Sequence, residues 1–159
     1  MHLHIDEVNP MKKIFLSVVC CMMFLTGCAA SDKGGKIKDI TLEQIQEKLE
    51  KKDNFVLIVS RESCQHCQDL KEMLNKTIKE HATILYKYEM DETSMDALVK
   101  DATLLQQALV EKDASSEYST PHIYYIYEGV VRDSFTGYDE SQPSQFWDFI
   151  KNNSLENSK

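Results

Sequence analysis

Positive charge is in short supply in this sequence: 18 Lys and Arg face 26 Asp and Glu, a formal net charge of −8. A chain this acidic lacks the electrostatic footprint of a nucleic-acid binder, and anionic lipid would repel it. Long hydrophobic runs are missing too. The uncharged apolar stretch at residues 14–26 is too short to span a bilayer as a stable helix. No repeat or low-complexity run follows it, and 159 residues make one ordinary domain and are too few for two. Cysteine is scarce where it would be used. Of five, Cys20 and Cys21 lie within the N-terminal stretch and Cys28 at its end, leaving only Cys64 and Cys67. Two thiols without a second Cys pair fall short of the four ligands that structural zinc takes.

What the sequence does have is concentrated in Arg61-Glu62-Ser63-Cys64-Gln65-His66-Cys67-Gln68-Asp69-Leu70. This stretch follows residues 55–60, which read as a buried strand, and opens a helical pattern. Cys67, Leu70, Leu74 and Ile78, with Met73 beside them, recur at helical spacing on one face. Ser63 is the expected N-cap and Cys64 the first helical residue. There, unpaired backbone N–H groups and the helix dipole favour a thiolate. Cys64 is then the candidate nucleophile, and Cys67, one turn behind it, the candidate resolving thiol. A static structural disulfide is the competing reading, but a bridge across two residues restrains little unfolded chain. Gln65 and His66 are candidate tuning residues between the thiols. An imidazole charging near neutral pH would stabilise a neighbouring thiolate, and the plainer alternative is a solvated first-turn side chain.

The N-terminus reads as an export signal over residues 1–27: Lys12 and Lys13, then the apolar segment, then Leu25-Thr26-Gly27-Cys28. That ending resembles a bacterial lipobox, which implies cleavage before Cys28 and a diacylglyceryl group on its sulfur. An uncleaved N-terminal anchor is the alternative. Either way the domain is expected outside the cytoplasmic membrane, held at the outer face of that membrane in a bacterium. Asp6 and Glu7 would cancel the positive charge that orients such a segment, so translation is expected to begin at Met11. Residues 28–36, with Gly34-Gly35, then form the lipidated cysteine and a flexible tether, and residues 37–155 the domain. Residues 1–27 carry two basic and two acidic residues, so the remainder keeps the net charge of −8 and leaves membrane attachment to acyl chains. An exported protein meets oxidants, and the only thiols it retains are a pair that can work together.

Along the domain, Lys36 to Asp39 reads as a short edge strand. Thr41 and Gln44 form a capping-box pattern with Ile40 as hydrophobic staple, and Leu42, Ile45 and Leu49 face inward. Residues 55–60 and 83–88 are expected to be parallel neighbours joined by a right-handed crossover. Ser94 caps a helix lined by Met95, Leu98, Ala102, Leu105 and Leu109, and residues 111–119 form a polar loop. Residues 122–127 and 130–135 are strand-like, joined by a tight turn at Glu128-Gly129. Ser141 or Gln142 caps a last helix, with Pro143 near its first turn and Phe146, Phe149 and Ile150 turned inward.

Strand, Cys64-x-x-Cys67, helix, and Thr120-Pro121 before another strand together resemble the thioredoxin superfamily, over residues 36–153. The resemblance implies an α/β thioredoxin fold with a central mixed sheet flanked by helices. The long gap between the thiols and Pro121 implies an extended helical segment before that proline. Pro121 would be cis and opposite the thiols, with Thr120 pairing to an extended substrate strand; a proline that merely starts a strand is the alternative. His122 beside it is expected to be a partly exposed strand histidine, not a metal ligand. Cys64-Gln65-His66-Cys67 shares its histidine with protein disulfide isomerases and periplasmic disulfide oxidases, and the Ser60-Arg61 approach is more weakly similar to bacteriocin transport accessory proteins. Two positions depart from the pattern. Ile58 stands where thioredoxin buries an Asp, and Ser63 where Trp precedes the first cysteine, so proton transfer at Cys67 has no assigned partner. Glu62 is near in sequence but is expected to be an exposed loop carboxylate.

The function so implied is thiol-disulfide exchange on exported proteins, running toward oxidation or isomerisation, with an extracytoplasmic reductase as the alternative. No cofactor beyond the Cys64–Cys67 pair is expected. The implied partners are exported thiols and disulfides, a membrane or extracytoplasmic redox partner, and the bilayer through Cys28, with no nucleic acid. A different class also fits the residues: a copper or zinc carrier using Cys64, Cys67 and a histidine.

Overall fold

The computed structural model describes residues 34–109 and 119–153. The proposed signal, Cys28, most of the tether and most of the 111–119 loop lie outside the described residues. Five strands form one mixed sheet: β1 (Lys36–Asp39), β2 (Phe55–Ser60), β3 (Ile84–Glu89), β4 (His122–Tyr127) and β5 (Val130–Thr136), in the order β1-β3-β2-β4-β5. β3 is parallel to both β1 and β2, while β4 is antiparallel to β2 and to β5. Four α-helices, α1 (Leu42–Glu50), α2 (Gln65–Thr77), α3 (Met95–Leu109) and α4 (Ser144–Asn153), flank it.

Every residue of β2 is buried, because the strand is covered on both faces. Phe55, Leu57 and Val59 pack with Ile45 of α1 and with Leu105 and Leu109 of α3. Val56 and Ile58 pack with Leu70, Met73 and Leu74 of α2 and with Phe146 and Ile150 of α4. A strand buried on two sides reads as an unbroken apolar run, which is how it appears in the sequence. The α2 face expected from spacing is the buried one. α1 is capped as its sequence predicts: Thr41 Oγ1 accepts from the Gln44 N–H, and Gln44 Oε1 accepts from the Thr41 N–H at 2.9 Å. The hairpin turn is also as expected, with φ of 52° at Glu128 and 71° at Gly129, the primed geometry that matches strand twist. Gly129 has a second reason to be glycine, since a Cβ there would run into the Leu49 carbonyl.

Two local expectations are corrected. Met95 does not face the core; it is 72% exposed, with Val99 also exposed, and α3 joins the apolar layer only from Leu98 onward. Pro143 lies next to the first turn of α4, as expected, immediately before Ser144. Neither Ser141 nor Gln142 caps that helix with its side chain, because both bond to Asp139.

The topology brings three chain ends to one edge of the sheet. β2 ends at Ser60 opposite Glu89, the last residue of its parallel neighbour, and His122 at the start of antiparallel β4 sits across from Val59. α2 begins at that edge.

Candidate functional site

Ser60 leads through Arg61, Glu62 and Ser63 into Cys64. The helix starts one residue later than its sequence suggests: Cys64, with φ −87° and ψ 115°, is itself the N-cap. Its Sγ accepts a hydrogen bond from the Cys67 N–H at 3.2 Å, and its carbonyl accepts from the Cys67 and Gln68 N–H groups. Ser63 is not free to cap. Its hydroxyl and its N–H both donate to the Glu92 carboxylate, at 2.5 and 2.9 Å, and those two bonds hold the Glu92 carboxyl below the usual carboxylate range. The consequence is chemical as well as geometric, since the cap that receives a backbone donor is now a sulfur and helix N-terminal polarity acts on it directly.

Both thiols are free. Cys64 is half-buried and donates through its S–H to the Thr120 carbonyl at 3.3 Å. Cys67 is buried at 6% exposure. Burial first, and then its hydrogen bond with Cys64, push the Cys67 thiol up to about 12, against an opposing pull from the Arg61 backbone and the Thr120 hydroxyl. One sulfur is reachable and polarised, and the other is withheld behind it.

Thr120 and Pro121 close the site from the β4 side. The peptide between them is cis, and both residues are buried. The Arg61 Nε–H donates to Thr120 Oγ1 at 3.0 Å, tying the loop before Cys64 to the loop that supplies the Thr120 carbonyl.

Cys64, Cys67, Thr120 and Pro121 therefore meet. Gln65 and His66 do not join them by hydrogen bonds. Both are exposed; the Gln65 amide donates to Asp69 one turn along the helix, and His66 bonds to neither thiol. The field of His66 is felt instead at Asp139, whose carboxyl lies below its ordinary range mainly through Ser141 and Gln142, with a smaller contribution from His66. Any influence of His66 on Cys64 is through space. Glu62 is exposed, with its backbone carbonyl bonded to the Gln68 amide. His122 is half-buried, stacked on Tyr124 at 4.1 Å with Nδ1 at 3.0 Å from the Tyr124 hydroxyl. Among the described residues there is no group of three His, Cys, Asp or Glu placed to hold a metal ion.

Arg61 and Glu92 are the residues that sequence reasoning passed over. Arg61 lies in the singled-out stretch but shows no partner until β4 is placed, and Glu92 is 29 residues from the serine it holds.

No family model matches the chain, and no curated protein matches it. Solved structures do. A thioredoxin from Malassezia sympodialis is similar with a TM-score of 0.54 at 17% identity, over 76% of this chain and 93% of that one. Spinach chloroplast thioredoxin f gives a TM-score of 0.54 at 14% identity, over 76% and 96%. Chlamydomonas reinhardtii thioredoxin f2 gives 0.52 at 14%, over 75% and 97%. The fold is thus the thioredoxin-like α/β fold, with a Cys64-x-x-Cys67 pair at the start of α2.

Proposed function

We propose that this protein is a thiol-disulfide oxidoreductase of exported proteins, lipid-anchored through Cys28 to the outer face of a bacterial cytoplasmic membrane. The observation that carries the redox reading is the asymmetry of the pair: a half-exposed Cys64 capping its own helix, and a buried Cys67 one turn behind. Cys64 exchanges with a substrate sulfur to form a mixed disulfide, and Cys67 displaces the substrate by closing the Cys64–Cys67 bond. In the reverse direction the Cys64–Cys67 disulfide accepts a substrate thiolate and is passed on. Thr120, its backbone turned by the cis peptide to Pro121 at the entrance to β4, holds an extended substrate segment by main-chain hydrogen bonds in the manner of strand addition, with Pro121 packed against it. The anchoring part of the reading rests on the Leu25-Thr26-Gly27-Cys28 ending alone.

Direction follows from which redox state is stabilised. Cys64 caps α2, its sulfur accepting a backbone N–H at the helix start, and Ile58 stands where thioredoxin buries an acid. The protein therefore donates or isomerises disulfides, with a potential above the roughly −270 mV of thioredoxin and near about −200 mV. Equilibration with glutathione measures this, and a potential at or below thioredoxin's value would make the protein a reductase instead.

The identity of the substrates is tested by a Cys67→Ala variant, which cannot resolve its mixed disulfides. Exported proteins should accumulate on Cys64 and be released by reductant; a variant that traps no protein overturns the proposal. Cys28→Ala should abolish processing and membrane attachment, and a variant still processed and membrane-bound would remove the anchor.

A further inference from the structure

Cys67 must lose a proton to attack, and its surroundings hold that proton back. A groove of about 720 Å³ opens on this side of the site, lined by Cys67 together with Ile58, Ser60, Lys87 and Glu89. Ile58 contributes no acid or base. Asp39, Glu62 and Glu72 also line the groove, and all four carboxylates, Glu89 included, are exposed. Glu89 is distinguished from them by its bond to a buried group: the Ser60 hydroxyl, in a residue only 6% exposed, donates to Glu89 Oε2 at 2.9 Å. Strand register makes that contact, since Ser60 and Glu89 are partners at the ends of β2 and β3. Lys87 Nζ holds the same oxygen at 3.0 Å and reaches Asp39 at 3.3 Å, which fixes the carboxylate at the groove wall. At 41% exposure, the Glu89 side chain also reaches solvent.

We propose that Glu89, positioned by Ser60 and Lys87, accepts the Cys67 proton across this groove when Cys67 resolves the mixed disulfide. The proposal rests on the redox reading above and names the group that completes it. In the step, the Cys67 S–H proton passes to the Glu89 carboxylate. The sulfur lone pair forms the Cys64–Cys67 bond, the bond between Cys64 and the substrate sulfur breaks, and the substrate leaves as a thiolate. The protein pair is oxidised by two electrons and the substrate disulfide reduced by two. Glu89 then yields its proton to water at the open side of the groove. When the protein donates its disulfide the same step runs backward, and protonated Glu89 returns the proton to Cys67 as that sulfur leaves.

Single-turnover reaction of the reduced protein with Ellman's reagent separates the steps. The first thionitrobenzoate release reports attack by Cys64 and scales with reagent concentration, while the second reports resolution by Cys67 and does not. Glu89→Gln should leave the first rate within about twofold of wild type and slow the second about tenfold or more, as loss of a proton acceptor does. Glu89→Asp, which keeps the carboxylate, should recover most of the second rate. A Glu89→Gln second phase within twofold of wild type would overturn the assignment, as would an equal slowing of both phases. A wild-type protein with no second phase would instead overturn the redox reading itself.

Discussion

The two ends of the sheet are tied by bonds of the same kinds and differ in what those bonds hold: turns and helix ends at one, the loops that carry the thiols at the other. At the end away from the thiols, the Gly35 N–H donates to the Ile78 carbonyl and the Gly129 N–H to the Asp53 carbonyl, and side chains distant in sequence add the Glu128 N–H to Asn54 Oδ1 and the Trp147 indole N–H to Thr77 Oγ1. Ring packing adds to it, with His81 stacked on Trp147 at 3.5 Å. At the thiol end, the Met90 N–H donates to the Ser60 carbonyl and the Gly137 N–H to the Pro121 carbonyl, and the loops around the thiols are tied by side chains: Arg61 to Thr120, Ser63 to Glu92, Ser60 to Glu89. The apolar layers on the two faces of the sheet carry the stability of the fold. The thiol end holds loops in place with polar links that are individually weak and can be changed without unfolding the chain.

That contrast is open to a direct attack. Phe146 is wholly buried beneath the α2 layer, and Phe146→Ala should cost about 3–5 kcal/mol of stability by lost transfer and an unfilled cavity. Under conditions where the variant remains folded, Cys64 should still alkylate at close to the wild-type rate. Denaturant unfolding beside timed alkylation checks both halves, and a stability loss under about 1 kcal/mol would mean the apolar layers carry less of the fold than their burial implies.

A smaller loss, confined to one redox state, is expected from pH. The folded Cys67 thiol lies near 12, above its unfolded value of about 8.5. The folded reduced protein therefore keeps a proton that the unfolded chain releases, so its stability is full below about pH 8.5 and falls as pH rises toward 12. Burial and its bond to Asp101 also raise Tyr88, which gives a loss of the same sign, but in both redox states. The difference between reduced and oxidised protein isolates Cys67: it should move against the reduced form above about pH 9, and a difference flat across that range would contradict the buried-thiol description.

The smallest stability effect belongs to the thiol end. Arg61→Met removes the donor to Thr120 Oγ1 and should cost no more than about 1 kcal/mol, the net worth of one partly buried hydrogen bond. Turnover in insulin reduction should fall further than stability does, by about threefold to tenfold, because the Thr120 carbonyl loses its fixed position beside Cys64. Unchanged turnover would show that the link is not needed to hold the site.

The same contrast explains what could be read from the sequence. Apolar periodicity gave the two-sided burial of β2 and the inward face of α2, the Thr41–Gln44 box gave the start of α1, and Glu128-Gly129 gave the hairpin, because each is a local pattern with a local cause. Cys64, Cys67, Thr120 and Pro121 were legible as a set through their spacing and the family resemblance. The helix start was misplaced by one residue because the competitor for Ser63, Glu92, is brought in by β3, and no local rule announces it. Met95 was placed inward because helical spacing does not say at which turn a helix reaches the layer it packs against. Ser60 and Glu89 became neighbours only once the parallel register of β2 and β3 was known.

The central claim is that one thiol of the pair is presented and the other withheld. Limiting alkylation of the fully reduced protein at neutral pH, read by peptide mass spectrometry at successive times, tests it most directly. Cys64 should be modified first and Cys67 at least about tenfold more slowly, since a buried thiol with its proton held offers almost no thiolate. Equal rates at the two sulfurs, or faster modification of Cys67, would contradict the account.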